Sequence, residues 1–162
     1  MSLQLLPTPA PPGELPTDPV AVTEAFLAAL ADSDVDAAVD FLAADVHYVN
    51  VGFPAIDGAR RVRRAFQGLT RPDVGFEVYL HAISADGPVV LTERTDVIRL
   101  GPVRLQFWVM GRFDVHDGRI TLWRDGFDLA DMAKATARGL LGALLPALRP
   151  KPPTSLSAAP GR

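Results

Sequence analysis

Two short strand-like stretches carry the residues whose types and spacing suit chemistry: Glu93-Arg94-Thr95-Asp96 and Trp123-Arg124-Asp125, both embedded in apolar sequence. Arg94 and Asp96 stand two residues apart, so on a strand they share one face. Val90, Ile98, Trp123 and Phe127 nearby predict that this face is closed off from water. Charged side chains are seldom hidden unless they are paired or functional. Two carboxyls with a cation between them have a ready use in such a setting. One holds a proton, the other accepts one, and the cation keeps the two apart in pKa. The pattern reads as general acid/base catalysis carried by Asp96, Arg94 and Asp125. Tyr48 and Asn50, also two apart, share one face of an earlier strand, and their polar groups can hold a water in line by hydrogen bonds. That the five meet in one cavity is an expectation, because pattern alone orders only strands joined by hairpins.

The elements that must position these groups run as helices, then strands, then a last helix. Asp18 followed by Pro19 reads as an N-cap with proline in the first turn. Val22, Phe26, Ala29 and Leu30 then form an apolar stripe at helical spacing. A second short helix is expected over Asp34 to Ala43, a strand over Val46 to Val51, and a third, basic helix over Asp57 to Gly68. Four strand-like runs follow: Gly75 to Ser84, Val89 to Leu100, Val103 to His116 and Arg119 to Phe127. Ala85-Asp86-Gly87-Pro88, Gly101-Pro102 and Asp117-Gly118 separate them as tight turns, so consecutive runs must be antiparallel. Alternation in the third run turns Val103, Leu105, Phe107, Val109, Phe113 and Val115 to one face. A last helix is expected over Leu129 to Leu148. Helices gathered on one face of a curved antiparallel or mixed sheet make an α+β roll with a conical cavity, the natural place for a ligand.

The bulk properties narrow the classes. The chain has 162 residues, enough for one domain with one sizeable core, expected over residues 18–148. Proline and small polar residues dominate residues 1–17 and 149–162, which are expected to be flexible tails. A net charge of −3 gives no electrostatic reason to expect nucleic acid or an anionic membrane as a partner. No apolar stretch is long enough to span a bilayer. The chain contains no cysteine, which excludes disulfides, thiolate catalysis and cysteine-held metals. With no signal-like N-terminus, a cytoplasmic location is expected. His47, His81 and His116 fall on separate segments without ligand spacing, so neither a metal nor another cofactor is expected.

Tyr48-Val49-Asn50, Glu93-Arg94-Thr95-Asp96 and Trp123-Arg124-Asp125-Gly126-Phe127-Asp128 together resemble the limonene-1,2-epoxide hydrolase family, in order and in spacing, over about residues 18–148. The closest resemblance is to mycobacterial-type members. It implies the cone-like roll of nuclear transport factor 2 and ketosteroid isomerase, and one-step epoxide hydrolysis without metal, cofactor or covalent intermediate. It further implies Asp96 as acid, Asp125 as base, Arg94 as their bridge, and Tyr48 and Asn50 as water holders. By pattern Ile98, Phe107, Val109, Phe127, Met132 and Leu140 are plain core; the resemblance makes them pocket lining for a lipophilic epoxide. A homodimer through the outward sheet face, where Trp108 and Met110 sit among charged residues, is likewise implied. Gly126 stands where members often carry an aromatic residue, and the Gly101-Pro102 turn is short, which bears on substrate size.

Simpler readings stand beside these. Arg94 and Asp96 read alone as an exposed cross-strand salt bridge, Asp125 as a turn-side carboxylate, and Tyr48 as a core aromatic. Asp128 reads as the N-cap of the last helix, and Arg60 to Arg64 as a solvated helix face. Two other functions remain open: an isomerase or cyclase on the same fold, and a non-catalytic ligand-binding or dimerisation module.

Overall fold

The structure is a computed structural model that describes residues 16–153. Residues 1–15 and 154–162, which make up most of the two expected tails, lie outside the described residues. The chain runs α1 (Pro19–Ala31), α2 (Val35–Asp40), β1 (Leu42–Asn50), β2 (Ile56–Asp57), α3 (Ala59–Phe66), β3 (Val74–Asp86), β4 (Val89–Leu100), β5 (Val103–His116), β6 (Arg119–Gly126) and α4 (Leu129–Leu144). Short 3-10 turns follow α3 at Gln67–Thr70 and α4 at Pro146–Leu148.

Local chemistry explains most of these boundaries. The Asp18 carboxylate accepts from Ala21 N at 2.9 Å and opens α1, with Pro19 in the first turn where a missing N–H is harmless. Asp34 caps α2 in the same way, and Asp128 caps α4 by accepting from Ala130 N at 2.7 Å and Asp131 N at 3.2 Å. α4 is shorter than expected: it stops at Leu144, and Pro146 opens a 3-10 turn because proline cannot continue the helical hydrogen-bond ladder. Arg149 then folds back, its Nε donating to Gly142 O at 3.1 Å. The hairpin between β5 and β6 turns on Asp117 and Gly118, both at positive φ, as a two-residue turn matched to strand twist demands.

The six strands form one curved, unclosed mixed sheet in the order β2-β1-β6-β5-β4-β3. The antiparallel hairpins β3–β4, β4–β5 and β5–β6 follow the turn signals. β1 lies parallel to β6, placing Tyr48 beside Trp123 and Asn50 beside Asp125. Two boundaries differ from expectation for one reason. β1 begins at Leu42, inside the expected second helix, because Leu42 already pairs with Ile120 on β6. α3 begins only at Ala59, because Asp57 pairs with His47 across β1–β2 and Gly58 then takes φ 89°. In both cases sheet pairing overrides local propensity.

All helices pack on one face of the sheet, in two groups. α1 to α3 cover one half through Val22, Phe26, Leu27, Leu30 and Val62, which meet Val90, Phe113, Val115 and Trp123 from the strands. Phe26 stands edge-on to Trp123 with ring centroids 4.8 Å apart. α4 covers the other half, Ala135 and Met132 closing on Phe107, Val109, Ile98 and Phe127. The sheet's outer face has no helix on it among the described residues and exposes Leu91, Trp108 and Met110.

Candidate active site

Between those two apolar clusters lies a row of buried polar groups. Arg94 and Asp96 sit on β4 with side chains on the helix-covered face, and Asp125 sits two strands away on β6. Arg94 is 1% exposed, Asp96 4% and Asp125 5%, so none of the three has bulk solvent to offset its charge. The guanidinium compensates by forking. Its Nε donates to Asp96 Oδ1 at 2.9 Å and more weakly to Oδ2 at 3.2 Å. Its Nη2 donates to Asp125 Oδ2 at 2.7 Å. Its Nη1 donates to Thr92 Oγ1 at 3.1 Å. A planar, permanently charged side chain suits this three-way contact; lysine offers one point charge and no fork.

The electrostatics follow from burial. Loss of solvent pushes the Asp96 carboxyl up to about 6, against the pull of Arg94 and with help from the Asp125 charge. Burial alone would lower the Arg94 guanidinium, but the two carboxylates beside it more than reverse this and keep it charged. With one proton shared between the two acids, the trio carries no net charge, which lowers the cost of burying it.

One oxygen is left over. Asp125 Oδ1 is buried and has no hydrogen-bond partner among the described residues. Asn50, the cross-strand neighbour of Asp125, donates its Nδ2 to the Tyr48 hydroxyl oxygen at 2.6 Å. Because that oxygen accepts, the Tyr48 O–H hydrogen and the Asn50 carbonyl are both free for a third group. Burial and the nearby Asp125 charge hold the Tyr48 phenol protonated by pushing its pKa up. The tyrosine ring is held in an aromatic cluster, stacked on Trp123 at 3.9 Å and tilted against Phe66 at 5.7 Å, with Phe66 and Trp123 themselves 5.4 Å apart.

The five polar residues singled out by spacing are thus brought together. Of the six apolar ones, Ile98, Phe107, Val109, Phe127 and Met132 form the cluster beneath α4, next to the polar row. Leu140 stands apart from them, 54% exposed, because Ala135, Gly139 and Gly142 mark the face of α4 that is buried. Phe53, in the loop after β1, was not anticipated; its ring lies 6.1 Å from that of Phe127 and extends the apolar wall to the surface. Thr92 and Gly111 were missed as well. Their signal was available: a polar residue and a glycine at inward positions of otherwise apolar strands. A surface depression of about 380 Å³ lined by Ser33, Asp36, Arg63 and Thr70 contains none of these residues. Among the described residues no three His, Asp or Glu side chains are grouped to hold a metal ion.

Comparison with known proteins bears on family and fold. A family model described as the limonene-1,2-epoxide hydrolase catalytic domain matches residues 17–138. The chain is 53% identical over 129 residues to epoxide hydrolase EphG of Mycobacterium tuberculosis, covering 78% of this chain and 84% of that protein. A solved structure of an M. tuberculosis LEH-like epoxide hydrolase superposes with a TM-score of 0.79 at 48% identity, covering 84% of this chain and 96% of that one. An NTF2-like protein of unknown function from Cytophaga hutchinsonii, 17% identical, superposes with a TM-score of 0.59 over 74% of this chain and 96% of that chain, and shows the shared fold.

Proposed function

The chain belongs to the limonene-1,2-epoxide hydrolase family and is an epoxide hydrolase, and from that premise we propose how its own residues open the ring of a lipophilic epoxide. An epoxide is strained, but its oxygen leaves poorly as an alkoxide and water attacks poorly unless it loses a proton. Asp96, protonated, donates to the epoxide oxygen as the C–O bond breaks. Asp125, ionised, takes a proton from the attacking water as the new C–O bond forms. Each transfer contributes a factor of ~10²–10⁴. The product is a vicinal diol, and no bond forms between protein and substrate. Arg94, in contact with both carboxyls, keeps the pair at one shared proton and lies on the route by which that proton returns from Asp125 to Asp96.

The water occupies the space in front of Asp125 Oδ1. It donates one hydrogen to that oxygen and the other to the Asn50 carbonyl, and accepts the Tyr48 hydroxyl hydrogen. One lone pair is then left, directed at the substrate carbon. Such positioning replaces the entropy cost of a chance encounter. Ile98, Phe107, Val109, Phe127 and Met132 offer an apolar wall to the hydrocarbon part of the substrate, and Leu140 stands in this reading at the outer rim. A homodimer through the outer sheet face is part of the same proposal, supported by exposed Leu91, Trp108 and Met110. So is a cytoplasmic location.

The single observation that carries the mechanism is the guanidinium bonded to both carboxyls while one oxygen of Asp125 is buried without a partner among the described residues. The test is incubation with a panel of terpene, fatty-acid and sterol epoxides, with diols measured by mass spectrometry and Asp125→Asn as control. Diol formation that depends on Asp125 is expected. Turnover that survives the substitution removes Asp125 as the base.

A further inference from the structure

Arg94 and Asp125 are not neighbours in the sheet, and this raises the question of how their contact is possible. β5 lies between their strands, so the two backbones are separated by two inter-strand spacings, roughly 10 Å. Arg94 faces Val109 on β5, whereas Asp125 faces Gly111. The guanidinium must therefore pass diagonally over β5 at position 111. It does so in the row formed by Thr92 on β4, Gly111 on β5 and Asp125 on β6.

Gly111 is buried and lies in the interior of a long strand, a poor place for glycine. There it lacks a side chain to pack and loses more chain entropy on folding than other residues do. Its backbone does not explain it, because Gly111 is not among the residues with positive φ. Space does. A Cβ built on Gly111 would collide with Arg94 Nη1 and the Thr92 hydroxyl, and would lie 3.0 Å from Phe113 Cε2. Phe113 is fully buried beneath α1 and its ring is stacked on Trp123, so it has little freedom to yield.

We infer that Gly111 and Thr92 form a seat for the Arg94 guanidinium, and that Gly111 is a positioning residue whose missing side chain lets one arginine bridge acids on strands two apart. The role rests on the acid/base reading above for its consequence in catalysis, but the seat itself is a property of the resting protein. A methyl group at 111 drives the guanidinium off its line to Asp125. Thr92→Val leaves the path open but removes the acceptor of Nη1, so its effect has the same direction and is smaller.

The test compares wild type, Gly111→Ala, Thr92→Val, Arg94→Gln and the double variant Gly111→Ala/Arg94→Gln. Two readouts are used: the side-chain NMR signals of the Arg94 guanidinium in the free protein, and kcat and KM on an epoxide that the wild type hydrolyses. Gly111→Ala is expected to lose the protected Arg94 signals and about 10²-fold in kcat, with KM within a few-fold, as displacement of a catalytic group by about 1 Å does. Wild-type Arg94 signals in folded Gly111→Ala would overturn the seat. Arg94 Nη1 is the nearest of the groups a Cβ at 111 would meet, so Gly111→Ala is expected to cost clearly less stability in urea unfolding when introduced into Arg94→Gln than when introduced into wild type. An equal or larger cost in the Arg94→Gln background would also overturn it. The NMR arm decides the seat even if no epoxide is turned over; if the signals change as expected and wild type makes no diol, the acid/base reading fails and the seat stands.

Discussion

Replacing Asp96 by Asn isolates the cost of keeping a carboxyl in the apolar row. The substitution is nearly isosteric and keeps an oxygen for the Arg94 Nε bond. In the folded protein Asp96 titrates near 6, against an ordinary value of 3.8. A carboxyl whose folded pKa is raised contributes stability fully present below its unfolded pKa and lost as pH rises through the folded one. Between about pH 4 and pH 6 the folded state holds a proton that the unfolded chain has released, so stability falls with rising pH. The full effect is about 3 kcal/mol, from roughly 1.4 kcal/mol per tenfold change in proton affinity. About 2 kcal/mol of it appears between pH 4 and pH 7. Asp96→Asn has no such group. Urea unfolding of both proteins across that range should therefore show the wild type losing about 2 kcal/mol relative to the variant as pH rises. A stability difference that stays flat from pH 4 to pH 7 would refute burial as the source of the acid.

The same titration should appear in the rate. kcat/KM is expected to fall as pH rises through about 6, because Asp96 must carry a proton to act as acid; a profile still rising from pH 5 to pH 8 would contradict that role. Arg94→Gln leaves two buried carboxyls without their shared cation, so it should abolish turnover and cost roughly 3–5 kcal/mol in denaturant unfolding. Tyr48→Phe and Asn50→Ala each remove one contact to the water and should lower kcat on the order of 10²-fold with little change in KM, measured under saturating substrate. Trp108→Glu places a charge on the outer sheet face and should turn the proposed dimer into a monomer by light scattering, with the catalytic site intact; a wild type that is already monomeric would contradict the dimer.

Much of this arrangement is legible in the sequence, for identifiable reasons. The three hairpins were visible because Gly87, Gly101 and the Asp117-Gly118 pair mark the reversals and because alternation in Val103 to His116 is nearly unbroken. Period two places Arg94 and Asp96 on one strand face, and it is the apolar setting and the resemblance carried together with Tyr48, Asn50 and Asp125 that give the pair a catalytic role. What remained hidden depends on pairing between segments distant in sequence. The parallel contact of β1 with β6 brings Asn50 beside Asp125, and no local pattern encodes it. The start of β1 at Leu42 and the two-residue β2 were missed for the same reason: pairing partners decided them. Gly111 was overlooked because it interrupts the apolar alternation of β5 without breaking the strand. The cause is a side chain arriving from another strand, and it shows only once the sheet is assembled.

The central claim is that water is delivered to the epoxide in one step, activated by Asp125 and opposed by a proton from Asp96. A single turnover with enzyme in excess, run in ¹⁸O-labelled water and followed by mass spectrometry of both diol and protein, tests it most directly. One labelled oxygen is expected in the diol on the first turnover, with no label in either aspartate. Unlabelled diol together with ¹⁸O in the Asp125 or Asp96 carboxyl would demand an ester intermediate and contradict it.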